Sequence, residues 1–242
     1  MADAPAIPRE LAIDAVLFDL DGTLADTAPD LGAALNRVRG DRGLPPMPLA
    51  RLRPYASHGA RGLIGAGMAV APGEPRYEEL RDAFLAHYAA ALCVDSVLFA
   101  DVDAILDALE ARALPWGIVT NKATRYTTPL LRLLRLSPRA GAVVCGDTLP
   151  FAKPHPAPLT EAASRLGVSP GRCVYVGDAQ RDVDAGNAAG MRTLVARWGY
   201  IAPEETPETW SADGILDAPA ALLDWLRPAA RATGVSRGTP PR

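Results

Sequence analysis

The sequence is poor in cysteine and in aromatic residues, and it contains neither a long apolar run nor a block of like charge. Cys93, Cys145 and Cys173 form no Cys-x-x-Cys pair and are odd in number. That excludes a disulfide framework or a thiolate zinc site and fits reduced core residues. No apolar stretch is long enough to span a bilayer, and residues 1–10 have no apolar segment behind a basic head, so neither a membrane span nor a secretory leader is expected. Lysine and arginine total 25 against 28 acids and are scattered among them, which argues against nucleic acid as a partner. No internal repeat is evident. The expectation is a cytoplasmic globular protein of one or two domains, since 242 residues, 49% of them hydrophobic, suffice for a sizeable core.

What is present is organised around residues 16–23, an apolar run that delivers Asp19 and Asp21 and then breaks at Gly22-Thr23. Residues 13–20 read as a short strand buried on both faces of a parallel sheet, and in open α/β sheets ligands bind beyond the carboxyl ends of strands. One residue apart on an extended chain, the two carboxylates point to the same side, where both resist ionising without a cation or a shared proton. The stretch therefore calls for a metal, an acid/base division of labour, or both. Its composition is also that of a polar turn.

After Thr23 the chain changes character. Thr27 to Asp30 is a Thr-x-x-Asp helix start, and helical spacing follows through Leu31, Leu35 and Val38. Short helices are expected over 49–55 and 59–68, and Tyr77, Leu80, Phe84, Tyr88 and Leu92 mark one face of a longer one. Strands and helices then alternate. Helices are predicted over 102–112, 124–136, 157–166, 182–189 and 219–226, with strands over 116–120, 142–145, 173–176, 192–195 and 214–216. The fold class expected is α/β, a Rossmann-like, doubly wound parallel sheet over residues 1–25 and 96–227, with an inserted all-helical domain over 26–95. The composition of residues 228–242 reads as a flexible tail.

Three further strand ends carry chemistry. Thr120, with Asn121 and Lys122, offers a hydroxyl and backbone N–H groups to a phosphate, although Thr-Asn is also ordinary helix-cap material. Lys153 stands between Ala152 and Pro154 in a segment whose prolines restrict the backbone, and near Asp19 it would neutralise a transferring phosphoryl group; His155, between two prolines, reads equally as structural or catalytic. Gly177-Asp178 is followed by Asp182, two acids on one face if a helix starts there. Mg²⁺ takes one or two carboxylates plus water and substrate oxygens, so the expected metal residues are Asp19, Asp178 and Asp21 (through its backbone carbonyl), with Asp182 acting through water. Asp147, also after a strand but followed four residues on by Phe151, is given a supporting role at most.

In order and spacing these segments resemble the four motifs of the haloacid dehalogenase superfamily of phosphatases over nearly the whole chain. Asp19 to Thr23 matches the first, Thr120 the second, Lys153 the third and Gly177 to Asp182 the fourth. The helical insert is similar to that family's cap domain. The resemblance implies that Asp19 attacks phosphorus to give an aspartyl-phosphate, that Asp21 exchanges protons with the leaving oxygen and the attacking water, and that Mg²⁺, Lys153 and Thr120 balance charge on the phosphoryl oxygens. Residues 26–31, 119–122 and 153–156 resemble the phosphoglycolate phosphatase group, which makes 2-phosphoglycolate the first-choice small phosphorylated substrate. Residues 198–210 resemble a subgroup acting on N-acetylmuramic acid 6-phosphate, the alternative. His58, Gly59 and Arg61, in a glycine-rich stretch of the insert, are the expected specificity residues. Trp198 and Trp210 are expected to pack C-terminal strands. A sugar phosphomutase would share every motif; a non-catalytic protein on this fold should have lost one of the acids or Lys153.

Overall fold

The computed structural model describes residues 13–226, so the tail expected over 228–242 lies outside the described residues. The first strand, β1 (Ala15–Phe18), leads to a two-residue strand, β2 (Ala25–Asp26), and then to the helices α1 (Ala28–Gly40), α2 (Leu49–Leu52), α3 (Gly59–Met68) and α4 (Tyr77–Ala90). A 3-10 turn, Arg53–His58, with Pro54 at its start, joins α2 to α3. The chain returns through β3 (Val97–Leu98) and alternates through α5 (Val102–Ala111), β4 (Trp116–Val119), α6 (Thr124–Leu133), β5 (Ala142–Val144), α7 (Ala157–Arg165), β6 (Cys173–Gly177), α8 (Gln180–Ala188), β7 (Arg192–Ala196), β8 (Gly214–Leu216) and α9 (Ala221–Trp225). Among the described residues no helix is long and apolar enough to cross a membrane.

The six longer strands form one parallel sheet in the order β5-β4-β1-β6-β7-β8. The chain builds outward from β1 to β5, then returns to the other side of β1 and builds outward again. The order therefore reverses between β1 and β6, and a crevice opens at that switch beyond the strand ends. Along β1 the side chains alternate between two apolar layers. Val16 and Phe18 enter a cluster that continues through Trp116 and Ile118 into Leu35, Leu63 and Phe84 of the helical insert. Ala15 and Leu17 face a second cluster with Val119, Leu159 and Tyr175. Burial on both faces explains why this strand is apolar at every position.

Three local expectations need correction. The strand expected over 13–20 is regular only over Ala15–Phe18, because the chain beyond Asp19 turns, with the Leu20 carbonyl accepting from Thr23, Leu24 and Ala25. The helix does start after Thr27, but not by a capping box. Thr27 Oγ donates to Asp21 Oδ1 at 2.6 Å, and Asp30 accepts from the backbone N–H groups of Val94, Asp95 and Ser96 and from Ser96 Oγ. Those side chains are committed to distant partners. The antiparallel pair β2 and β3, Ala25 opposite Leu98, was unforeseen; two residues are too few for periodicity to reveal.

Candidate active site

Adjacent strands bring the motif residues together. Asp19 and Asp21 follow β1, Thr120 follows β4 and Asp178 follows β6, with Asp19 and Asp178 flanking the point where strand order reverses. Lys153 comes from the loop before α7, and its position is fixed by two hydrogen bonds: Asn121 Nδ2 donates to its carbonyl and its N–H donates to Asn121 Oδ1, each at 2.9 Å. The Asn121 side-chain amide is thus committed to the lysine loop, whereas the phosphate role expected of this residue is one for its backbone N–H. Thr120 is buried, and its hydroxyl accepts from the Lys122 N–H at 3.2 Å.

Lys153 is almost wholly buried, with Nζ 2.9 Å from Asp19 Oδ1 and 2.8 Å from Asp182 Oδ1. Burial disfavours its ammonium, but Asp182 and Asp19 more than offset that and raise its pKa. Asp182 also accepts from the Ala179 N–H and the Tyr175 hydroxyl, so it stays within the protein's own network. Its carboxylate oxygens and those of Asp19 and Asp178 offer ligand atoms within 4.8 Å of one another. Among the described residues only Lys153 is paired inside that group, which leaves two negative charges uncompensated when all three acids are ionised, and Asp19 Oδ1 is buried with no hydrogen bond of good geometry despite the nearby ammonium. A hard divalent cation fits such an all-carboxylate set.

The same crowding appears in the titration behaviour. Burial, reinforced by Asp182 and Asp21, pushes Asp19 up to about 6 against the pull of Lys153. Burial, with Asp19 and Asp182 nearby, pushes Asp178 up to about 7. Both exceed the ordinary carboxylate value, so the folded protein binds these protons more tightly and the stability they contribute is lost as pH rises from about 4 to about 7. A bound cation would replace the protons and relieve the repulsion. Added Mg²⁺ is therefore expected to raise Tm more at pH 8 than at pH 6, as scanning calorimetry would measure; equal rises at both values would contradict titration of these groups in that window.

Asp178 is also held by steric fit. A Cβ on Gly199 would lie 2.2 Å from Asp178 Cβ, and one on Gly22, whose φ is +88°, would lie 2.1 Å from Asp178 Oδ2. Tyr200 N–H donates to that same oxygen at 2.8 Å. Residues 198–200, noticed in the sequence only for their resemblance, thus close the acid pocket from behind. Trp198 Nε1 donates to the Thr23 carbonyl, and Trp210 packs with Val183 and Val195 as expected. His155 stacks on Phe151 and accepts from the Ala157 N–H, which is a structural use. Asp147 accepts from Thr124 N–H and Oγ at the start of α6.

Several participants were not expected. Lys122 Nζ lies 2.8 and 3.1 Å from the two Asp21 oxygens and 4.8 Å from the Tyr88 ring centroid. The sequence offers only its backbone N–H as a candidate. From the cap, Ser57 Oγ donates to Asp178 Oδ2 at 2.6 Å, and Arg181 of the core donates to the Ser57 carbonyl and to His58 Nδ1. Between cap and core lies a cavity of about 540 Å³, reaching from Asp19, Thr120 and Lys153 to His58, Gly59 and Arg61. All the expected residues except Asp178 and Asp182 line it. Those two lie behind Asp19, within the carboxylate group.

This arrangement can hold a phosphoryl group over a carboxylate nucleophile with a second carboxylate beside it. Comparison with known proteins points the same way. The model of the haloacid dehalogenase-like hydrolases matches residues 13–190. The chain is 40% identical over 218 residues to the N-acetylmuramic acid 6-phosphate phosphatase of Pseudomonas aeruginosa, covering 90% of this chain and 96% of that one. It is 43% identical over 217 residues to the phosphoglycolate phosphatase of Xanthomonas campestris pv. campestris strain 8004, covering 88% and 98%. The crystal structure of a predicted phosphoglycolate phosphatase from Haemophilus somnus 129pt superposes with a TM-score of 0.77 at 28% identity, covering 89% of this chain and 98% of that one.

Proposed function

Since the chain belongs to the haloacid dehalogenase-like hydrolases and is a phosphatase, we propose that it is a Mg²⁺-dependent phosphomonoester hydrolase working through a phosphorylated Asp19, with N-acetylmuramic acid 6-phosphate as its substrate. Asp19 attacks phosphorus while the bond to the leaving oxygen breaks, and that oxygen takes a proton from Asp21. Water then attacks the acyl phosphate, gives its proton to Asp21, and frees phosphate and the Asp19 carboxylate. Lys122 and Thr27, both hydrogen-bonded to Asp21, hold its side chain in place. Lys153 and the Thr120 hydroxyl stand where charge builds on the phosphoryl oxygens. Asp19, Asp178 and the Asp21 carbonyl would hold a divalent cation, which would supply charge neutralisation on those oxygens.

The observation that carries the choice of substrate is the size of the cavity. About 540 Å³ falls among the pockets of about 300–1,000 Å³ that enclose sizeable organic ligands. A two-carbon phosphate would leave most of it to water, whereas a phosphorylated N-acetyl sugar with a lactyl side chain would occupy it. The relatives bearing the two activities are about equally similar in sequence, so sequence likeness alone favours neither. Phosphate release with Mg²⁺ should be measured on N-acetylmuramic acid 6-phosphate, 2-phosphoglycolate and common sugar phosphates. The muramic compound should give the highest kcat/KM, and conversion of a sugar phosphate into an isomer without phosphate release would mark a mutase instead. In the cap, Arg61→Ala should raise KM for the muramic compound by about tenfold or more, as for a lost charged hydrogen bond, and more than for 2-phosphoglycolate. Equal losses on both would remove Arg61 from the discrimination.

A further inference from the structure

The cavity above Asp19 does not stop at the residues the motifs account for. It shares Leu85, Arg125 and Tyr126 with a second, more open groove of about 510 Å³ between α4 and the start of α6. Charge along this path is unbalanced. Arg61, Lys122, Arg125, Lys153 and Arg181 line the inner cavity, against Asp19 and Asp21. Lys153 and Lys122 are paired with those two acids, and Arg181 is engaged by Ser57 and His58. That leaves Arg61 and Arg125, both exposed and neither in an ion pair with a described residue, although Asp147, which accepts from the adjacent Thr124, feels the charge of Arg125. Asp82, the acid in the outer groove, lies 3.2 Å from Arg81 instead. The Arg125 guanidinium lies 4.6 Å from the Tyr126 ring centroid, which steadies it at the junction of the two spaces.

We propose that Arg125 receives the substrate's second anionic group, a carboxylate remote from the phosphoester, and so determines specificity from the core side of the cleft. The assignment rests on the reading of the substrate as a carboxylated sugar phosphate. The reacting phosphate is fixed at the floor by Asp19, Thr120 and Lys153, while Arg125 stands at the first turn of α6, where the inner cavity opens into the groove. Only a substrate that carries its second charge well away from phosphorus can use both ends. A guanidinium presents a planar fork matched to a carboxylate, which an ammonium does not. Arg61 on α3 faces the same cavity from the cap, so a carboxylate at this height is approached from both sides of the cleft.

The test uses two substrates that differ only in the lactyl ether, N-acetylmuramic acid 6-phosphate and N-acetylglucosamine 6-phosphate, with the full-length protein and Mg²⁺. Arg125→Ala should lower kcat/KM for the muramic compound about 10- to 100-fold, mostly through KM, as expected for one charged hydrogen bond lost. For the glucosamine compound the fall should be no more than about threefold on the same reasoning, and Arg125→Lys should restore part of the difference. A proportionate fall on both substrates, or a fall accompanied by a matching drop in Tm, would assign Arg125 to holding Tyr126 and α6 and overturn the proposal. Wild-type protein inert toward N-acetylmuramic acid 6-phosphate would instead overturn the substrate reading beneath it, and that result is visible before any variant is made.

Discussion

Asp19→Asn is expected to lower kcat by at least about three decades, equivalent to about 4 kcal/mol of transition-state stabilisation, in a protein that still folds. The carboxamide keeps the shape of the side chain but has no anionic oxygen to attack phosphorus. The fold should tolerate the change because the native charge is costly there: burial already pushes the Asp19 carboxyl up to about 6, and Lys153 keeps Asp182 as a partner at 2.8 Å. Phosphate release and thermal unfolding followed together are the measurement. A variant retaining more than about a hundredth of the wild-type rate would place the nucleophile elsewhere.

The second large effect is expected at Lys153, where charge and catalysis meet. Lys153→Met removes the cation buried between Asp19 and Asp182, and breaking a buried pair from one side costs about 3–5 kcal/mol. The loss should be greater at pH 8 than at pH 5, because protonation of Asp19 at about 6 relieves part of the repulsion at the lower value. Adding Asp182→Asn to Lys153→Met should recover much of the stability and none of the turnover. Activity returning with stability would reduce Lys153 to a structural counter-ion. Denaturant unfolding at the two pH values, with phosphate release by both variants, separates these outcomes.

The parts of this site that were legible in the sequence are those whose chemistry lies within one short segment. Asp19 and Asp21 could be placed because an apolar run ends on them, and Asp178 because a second one does. The alternation of strands and helices sufficed for the parallel sheet. The order of its strands was not legible, and it is that order that seats Thr120, Asp19 and Asp178 side by side. Lys122 and Asp21 are 101 residues apart, and no spacing rule connects them. Thr27 and Asp30 mark the helix start correctly, but their side chains serve other partners for the same reason. A capping box is a local preference, and tertiary partners of better geometry displaced it. Gly199 was passed over because its necessity comes from the body of Asp178, a residue remote in sequence.

The paired strands β2 and β3 have a consequence for how such a molecule can be altered. Ala25 and Leu98 stand opposite each other in the antiparallel pair, so the helical insert leaves and rejoins the chain at one doorway, and the sheet can accept a different insert with little change in its own path. With recognition in the insert, as proposed, it could be exchanged while the chemistry stays put. The exchange is not unconditional, however, because the present insert lends the sheet two things it lacks. Ser57 supplies the hydroxyl donor on Asp178 Oδ2, and Arg53 holds both oxygens of Asp26 at the doorway while lying 5.7 Å from the Tyr200 ring centroid. A transplanted cap without a hydroxyl at the first place would leave the acid pocket one hydrogen bond short, and one without a guanidinium at the second would leave the doorway unlatched.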